Sequence, residues 1–208
     1  MDYKTAKFFT LIFTAVFLST SLTSVTAQSN PLKDASFDQQ LPSHEGGWTL
    51  FDQSQFSTDH ARSDGTSMLN WGFSRTVAFP PYLTGSVSGS FQQFSAEAGS
   101  RWQLTGYGSA PVPLQGATAF GILQVSFFDE EGNDLGTVET ANDTSPVAKI
   151  SNKVNSQTPA GEWVFLDTGV ATAPEGTARV HAFTLYVDYS DSNVSQGVYF
   201  DDLSLSQL

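Results

Sequence analysis

Cysteine is absent from the 208 residues, and basic side chains are few, with nine Lys and Arg against 21 Asp and Glu. Without cysteine, disulfides and lipid attachment are excluded, so packing, with or without a bound metal, must stabilise the fold. The formal net charge of −12 repels phosphate backbones and anionic lipid, which makes nucleic acids and membrane surfaces poor partners. Neutral ligands and cations suit this surface, whereas acidic polysaccharides would need bridging calcium.

Long apolar runs are also rare, and the clearest one lies at the N-terminus. Lys4 and Lys7 precede an apolar stretch over residues 8–18, and residues 25–27 form a small-residue cleavage pattern. This pattern is typical of a secretory signal peptide, and the run is short for a membrane span of ~20 residues. The sequence therefore predicts a signal peptide over residues 1–27, one mature domain over 28–208, and secretion to an extracellular or periplasmic location. An uncleaved anchor is the alternative.

Helical periodicity is almost missing from the mature chain. Short apolar runs separated by Gly, Pro, Asn, Asp and Ser recur instead, which is typical of an all-β sandwich or barrel. Residues 36–39 are expected to open the first sheet, and the nearly continuous apolar run 120–128 predicts a central strand. The polar stretch 140–161 exceeds the usual loop limit of ~12 to 15 residues, so it is either a ligand-side loop or a flexible insertion.

The last apolar stretch, residues 197–205, contains two adjacent carboxylates. Val198 and Phe200 share one face of a strand, but Leu203 has the opposite parity, so the alternation shifts at Asp201 and Asp202. Such a shift predicts a β-bulge. Two carboxylates in an apolar strand repel each other and lose hydration, unless one turns to solvent and the other meets a cation or hydrogen-bond donors. The pair is the first candidate for a metal site.

Several short motifs follow one another along the mature chain. They are Asn30 with Pro31, Phe37 with Asp38, Gly47 with Trp48, residues 63–65, Phe91 with Gln92, 102–107, 127–129, Trp163, 173–177 and 199–205. In order and spacing they resemble a secreted carbohydrate-binding module of the galactose-binding-like jelly-roll type, as found appended to xylanases and laminarinases. The resemblance implies an all-β jelly-roll sandwich of two antiparallel sheets that binds polysaccharides or oligosaccharides without cleaving them. It also implies other extracellular enzymes as partners.

In that family a structural calcium commonly ties the first strand, a polar turn and the last strand together. By position, the resemblance implies Asp38 and Asp201 as carboxylate ligands. The turn from Ser63 to residue 67 would supply mainly backbone carbonyls, with Asp59 or Asp64 as a further ligand. Calcium takes 6 to 8 oxygen ligands at roughly 2.3–2.6 Å, which this set and water can supply. Asp38 stands where the family has Glu, and its shorter side chain is less suited to bidentate coordination. Alternatively, Asp38 caps a turn and Asp201 is a solvated bulge residue.

A sugar site needs aromatic planes and polar side chains that exchange hydrogen bonds with hydroxyl groups. The predicted ligand-binding residues are Trp71, Tyr82, Gln103, Tyr107, Gln124 and His181, with Phe73, Arg75 and Tyr186 as further candidates. The two glutamines and Tyr107 are favoured because their strand parity is opposite to that of the expected core. Large aromatic side chains are mostly buried, so Trp48, Trp102 and Trp163 are expected in the core.

Two other classes of protein share this fold. A retaining glycosidase needs two carboxyl groups ~5 to 5.5 Å apart, hence carboxylates two or four residues apart on one strand. The strands predicted between residues 90 and 128 contain none. No paired-histidine metal motif, phosphate loop, serine elbow or lyase cluster is present either, so catalysis is not expected, although fold alone does not exclude it. A structural or adhesion domain is the other alternative, and an exposed aromatic cluster would favour sugar binding over it.

Overall fold

Twelve described strands form two sheets that face each other. A computed structural model describes residues 29–63, 65–73, 86–141, 147–189 and 194–208. The strands are β1 (Thr49–Phe51), β2 (Ser54–Ser57), β3 (Ser67–Phe73), β4 (Ser86–Ser95), β5 (Arg101–Ser109), β6 (Ala119–Phe128), β7 (Asp134–Gly136), β8 (Lys149–Ile150), β9 (Val154–Asn155), β10 (Val164–Thr172), β11 (Arg179–Asp188) and β12 (Ser195–Gln207), and a 3-10 helix, Ser43–Glu45, precedes β1. The predicted signal peptide lies outside the described residues.

The strand order is that of a jelly-roll sandwich. One sheet has the order β1-β4-β11-β6-β7, with β8 and β9 also paired to β6, and the other has the order β10-β5-β12-β3-β2. We call them the seven-stranded and the five-stranded sheet. The ladders between these strands are antiparallel. The predicted all-β jelly roll of two antiparallel sheets is confirmed. Within the described part of the chain, no helix has the length and apolar character needed to cross a membrane.

The main hydrophobic core fills the space between the two sheets. In β6, Leu123, Val125 and Phe127 are fully buried, whereas Gln124 between them is half-buried. This alternation follows from the period of two along a strand, which turns every second side chain towards the facing sheet. Each side chain of this size contributes about 1.5–3 kcal/mol when it is fully buried.

The N-terminal segment packs on this core without joining a sheet. Residues 33–39 form bends and turns, in which Asp34 and Phe37 have positive φ angles of 51° and 61°. The Asp34 carboxylate accepts two backbone N–H bonds at 2.9 and 3.0 Å, and the buried Phe37 ring lies 4.9 Å from that of Trp48. The expected opening strand at 36–39 is therefore wrong, because a side chain satisfies backbone donors that a ladder would otherwise pair.

The three tryptophans expected in the core fall into two groups. Trp48 and Trp102 are buried, as predicted. Trp163 is only half-buried, and its ring stacks on His60 with the centroids 5.0 Å apart. Trp163 immediately precedes β10, which is an edge strand of the five-stranded sheet, so a loop residue rather than the facing sheet packs on its indole.

Candidate functional site

The predicted ligand residues do not form one site. Gln124 and His181 lie on the outward face of the seven-stranded sheet, in β6 and β11. Trp71, Gln103 and Tyr107 lie on the outward face of the five-stranded sheet, in β3 and β5. The two sets are therefore on opposite sides of the sandwich.

Of the remaining candidates, the structure describes the side chain of Tyr186 alone. Tyr186 is fully buried, and its hydroxyl donates to Asp188 Oδ2 at 3.1 Å. Burial, reinforced by the Asp188 charge, raises the pKa of Tyr186 far above its usual range. Tyr82, Arg75 and the side chain of Phe73 lie outside the described residues.

The outward face of the seven-stranded sheet carries five phenylalanines, which the sequence did not identify as site residues. They are Phe51, Phe91, Phe120, Phe128 and Phe183, and all are half-buried. The ladders place Phe91 opposite Phe183 and Phe183 opposite Gln124, so one row of side chains crosses β4, β11 and β6. We call this surface the aromatic face. A cluster of part-exposed rings of this kind commonly marks a binding surface.

A second apolar cluster underlies the aromatic face. Ile122, Leu185 and Val187 are buried on the outward side of the sheet, where Phe51, Phe120, Phe183 and Ile150 pack against them. A sheet with one solvated face normally alternates apolar and polar residues, but β6 and β11 are apolar at both parities. This missing alternation, visible as the run 120–128, is the sequence signal that could have located the face.

His181 is held inside a stack of aromatic rings on this face. Its imidazole lies between Phe91, at 5.2 Å and an interplanar angle of 4°, and Phe128, at 4.1 Å and 30°. Its Nε2 is buried and has no hydrogen-bond partner among the described residues. Burial, with a smaller effect from the Arg179 charge, lowers the pKa of His181 to about 4. His181 is therefore neutral at pH 7, and both ring faces are covered, so it orients the phenylalanines beside it.

Polar side chains border the aromatic rings. Gln124 donates to Ser126 Oγ at 3.0 Å, and Gln93, opposite His181 in the ladder, is exposed. The Lys153 ammonium lies 3.9 Å from the Phe120 centroid. Arg179 donates to the carbonyl oxygens of residues 129 and 130 at 2.9 and 2.7 Å. Amides and rings together can bind both the hydroxyl groups and the C–H faces of a sugar.

Tyr107 and Gln103, on the opposite face, are engaged by neighbouring side chains. The Arg62 guanidinium lies 3.6 Å from the Tyr107 ring centroid, and the edge of Phe165 approaches the same ring at 5.4 Å. Gln103 donates to Asp167 Oδ1 at 2.7 Å. The strand parity predicted for both residues is correct, but neither side chain offers a free surface here.

The predicted β-bulge lies at the acidic pair in β12. The register with β5 shifts between Asp201 and Ser204, and Asp202 has a φ of 49°. Asp202 forms an ion pair with Arg62, whereas Asp201 is 1% exposed and accepts the backbone N–H groups of Arg62 and Asp202 at 2.9 and 2.8 Å. One carboxylate therefore reaches a cation at the surface, and the other is buried among donors.

Asp38 and Asp201 approach the same turn. Asp38 Oδ1 accepts the Thr66 N–H at 2.9 Å, and a Cβ on Gly65 would lie 1.9 Å from that oxygen. Burial raises the pKa of Asp201 to about 6, backbone N–H donors oppose the rise, and the charges of Asp202 and Asp38 add to it. The first segment, the turn and the closing strand thus meet at one place, and Ser63 lies exposed in the turn.

The donor set of this cluster suits a hard cation. The charges of Asp38 and Asp201 repel each other, and Asp201 is buried. A cation that takes oxygen ligands would stabilise both carboxylates. Each carboxylate oxygen accepts one hydrogen bond from the protein, which leaves lone pairs for coordination. The described residues contain no group of three acidic or histidine side chains placed to hold a metal, so carbonyls and water would complete the shell. Asp64 lies outside the described residues.

Comparison with known proteins supports the same fold. No protein-family model and no curated protein matches the sequence. Among solved structures, the carbohydrate-binding module TmCBM61, determined in complex with β-1,4-galactotriose, matches with a TM-score of 0.50 and 14% identity over 87% of this chain and 100% of the module. The fold is the jelly roll of carbohydrate-binding modules.

The same jelly roll also occurs within longer chains. The enzymatically active domain of tailspike protein 4 from bacteriophage CBA120 matches with a TM-score of 0.50 and 16% identity over 86% of this chain. The arabinose-bound α-L-arabinofuranosidase MgGH51 matches with a TM-score of 0.52 and 13% identity over 87% of this chain. The chain spans only 21% and 27%, respectively, of those two proteins, so the likeness concerns one of their domains.

Proposed function

We propose that the chain is a non-catalytic carbohydrate-binding module that binds a polysaccharide across the aromatic face. The observation that carries the proposal is the set of five half-buried phenylalanines on the outward side of the seven-stranded sheet. Rings exposed in this way pack on the C–H faces of sugars, while amides beside them exchange hydrogen bonds with hydroxyl groups. The TmCBM61 match, which covers that whole module, supports a domain of this size as a complete binding unit.

The charge of the aromatic face favours a neutral glycan. The outward residues of β4, β11 and β6 include no carboxylate, although the chain as a whole carries 21 acidic residues. Arg179, the one cation among these strand residues, already binds two backbone carbonyls. Lys153, from the segment between β8 and β9, is engaged over the Phe120 ring. A ligand on this face is therefore bound by apolar contact and neutral hydrogen bonds, which neutral sugars can supply.

The same residues argue against catalysis at this face. A retaining glycosidase needs two carboxyl groups ~5 to 5.5 Å apart, and an inverting one needs them ~6.5 to 9.5 Å apart. The outward side chains of the three central strands provide neither pair. They also include no tyrosine, which the lyases of this shape require. This set of side chains therefore supports binding of a glycan without its cleavage.

A structural calcium and export complete the proposal. Asp38 and Asp201 would hold the calcium together with carbonyls of the turn at Ser63, and the ion would supply charge neutralisation at the buried carboxylate. Residues 1–27 would act as the signal peptide, so the mature domain would meet its glycan outside the cytoplasm. N-terminal sequencing of the secreted protein tests the cleavage site.

Affinity electrophoresis through soluble polysaccharides tests the binding proposal. Xylan, laminarin, galactan and arabinan would serve as neutral probes, with alginate as the charged one. One neutral glycan should retard the domain, and Phe183→Ala should weaken the retardation about threefold to tenfold, because an aromatic contact contributes ~0.5–1.5 kcal/mol. Phe165→Ala, an exposed ring on the opposite sheet, is the matched control and should leave retardation unchanged. If no glycan retards the folded domain, the structural or adhesion role replaces sugar binding.

A further inference from the structure

A separate groove of about 330 Å³ lies on the outward face of the five-stranded sheet. Its floor is formed by Leu69, Trp71 and Tyr199 from β3 and β12, and its wall by Pro111, Val112 and Pro113 from the connection between β5 and β6. All of these residues belong to the described part of the chain. The groove and the aromatic face lie on opposite sides of the sandwich.

The groove floor depends on a glycine opposite the tryptophan. The ladder pairs Trp71 with Gly197 and Leu69 with Tyr199. A Cβ on Gly197 would lie 2.5 Å from the Trp71 Cβ and 2.6 Å from the Asn70 carbonyl oxygen, closer than non-bonded atoms pack. Gly197 therefore lets the Trp71 side chain sit close against β12, so that two aromatic side chains from neighbouring strands share the floor.

The groove wall is fixed in position. Ala110 and Leu114 are buried and hold both ends of the segment against the fold, and the two prolines between them have restricted φ angles. The Gln196 side chain binds the backbone of Gln115 in both directions, accepting its N–H at 2.7 Å and donating to its carbonyl at 2.9 Å. Val112, 70% exposed, is thus presented on a preorganised wall, which lowers the entropic cost of binding.

The chemistry of the groove selects an uncharged ligand with an apolar face. Among the described residues, no side chain that lines the groove is charged, although the chain has a net charge of −12. Gln115 and Ser195 add polar groups at its border. Its volume is at the lower end of the ~300–1,000 Å³ range of small-molecule sites, which suits about one or two rings rather than a long chain segment.

We propose that this groove is a second ligand site, which binds a neutral sugar ring against Trp71 and Tyr199. It goes beyond the proposed function, because it needs neither the phenylalanines nor the glycan of the aromatic face. With both sites occupied, one domain connects two glycan segments on opposite sides of the sandwich. Trp71 was predicted from the sequence as a ligand-binding residue, and the groove gives it surroundings that Tyr107 and Gln103 lack.

An NMR titration of the ¹⁵N-labelled domain tests this site. The probes are the methyl β-glycosides of galactose, glucose and xylose, with methyl β-glucuronide as the charged counterpart. At least one neutral probe should shift the Trp71 indole N–H and the backbone amides of Val112 and Gly197, and the glucuronide should shift them less. Trp71→Ala should weaken this binding about threefold to tenfold. Val112→Glu, at a position that is 70% exposed, should do the same by adding a charge to the wall.

The controls separate the two surfaces. Phe165→Ala, on the same sheet face but outside the groove, should leave the groove titration unchanged, and so should Phe183→Ala. If no neutral probe shifts the groove signals while a polysaccharide still shifts the aromatic face, the second site is refuted and the proposed function stands. Groove shifts that survive Val112→Glu and Trp71→Ala in folded protein also refute it. If groove shifts occur but no glycan binds the aromatic face, the proposed function fails and the groove remains.

Discussion

Acid should destabilise the domain through His181, whose imidazole is held neutral in the aromatic stack. Its pKa is about 4 in the folded protein against 6.5 for the free side chain. The unfolded chain therefore binds the proton first, and the stability contributed by the neutral imidazole is complete above pH 6.5 and is lost as the pH falls towards 4. Arg179 is the charged neighbour on its own strand, while the ladder neighbours Ser126 and Gln93 do not titrate.

The size of this effect follows from the linkage relation. A shift of one pKa unit corresponds to about 1.36 kcal/mol, so the interval from pH 6.5 to 4.5 would give about 2.7 kcal/mol for a completely buried group. His181 is only partly buried, and solvent screening reduces the expected loss to about 1 to 2 kcal/mol. Other groups titrate in the same range: burial lowers the pKa of His60, and Asp201 has a pKa of about 6. Because the pKa of Asp201 is raised in the folded protein, its effect on the free energy of unfolding has the opposite sign, and protonation of Asp201 adds stability as the pH falls.

His181→Phe isolates the contribution of this imidazole. Phenylalanine keeps a ring between Phe91 and Phe128, removes the unpartnered Nε2 and does not titrate. Urea unfolding at pH 7 and pH 4.5 should show the wild type losing about 1 to 2 kcal/mol more than the variant, because the effects of Asp201 and His60 cancel in the difference. Equal losses in both proteins would refute the assignment of His181 as a buried neutral group.

Three further changes test the turn, the metal site and the groove wall. Gly65→Ala should lower the free energy of unfolding by about 1 to 3 kcal/mol more than Gly132→Ala, since both glycines have positive φ but only a Cβ at Gly65 would overlap Asp38 Oδ1; similar denaturation midpoints would contradict this. Chelator should lower the Tm of the wild type by about 5–10 °C if calcium is present at ~100 times its Kd; Asp38→Asn should abolish most of that shift, and an undiminished shift would place the ion elsewhere. Gln196→Ala should speed amide exchange at Val112, because Gln115 loses both side-chain bonds; unchanged exchange would show that the buried ends alone fix the wall.

The sequence predicted the architecture because strand period and turn composition are local properties. The apolar alternation shifts by one residue at Asp201 and Asp202, and this shift located the β-bulge. Successive side chains of a strand point to opposite faces, so a shift by one residue indicates an extra residue in the strand. Trp48 and Trp102 were placed correctly in the core. Strand period and turn composition predicted an all-β sandwich or barrel, and the jelly roll was implied by the resemblance of the motif order to a known family.

The predicted ligand-binding residues lie on two opposite faces, because strand parity does not show which face of a sheet stays open. Phe91 and Phe183 have the parity of the outward face, but neither was among the predicted ligand-binding residues, because large apolar side chains are mostly buried. Tyr107 has the parity of an outward residue too, yet the loop after β2 places Arg62 over its ring. That contact joins residues 45 positions apart, and no local pattern in the sequence encodes it.

Arg62 explains why the two outward faces differ. Its backbone N–H binds the buried Asp201, its guanidinium pairs with Asp202, and the same group covers the Tyr107 ring. The bulge therefore anchors the turn that carries Arg62, and Arg62 covers Tyr107 on the five-stranded sheet. The groove at Trp71 lies outside the covered area and stays open. A cation held by Asp38 and Asp201 would order the same turn, so calcium would stabilise the fold and keep Tyr107 covered at once. The described contacts show no comparable turn over Phe91 and Phe183 of the seven-stranded sheet, so both rings stay half-buried and would be accessible to the proposed ligand.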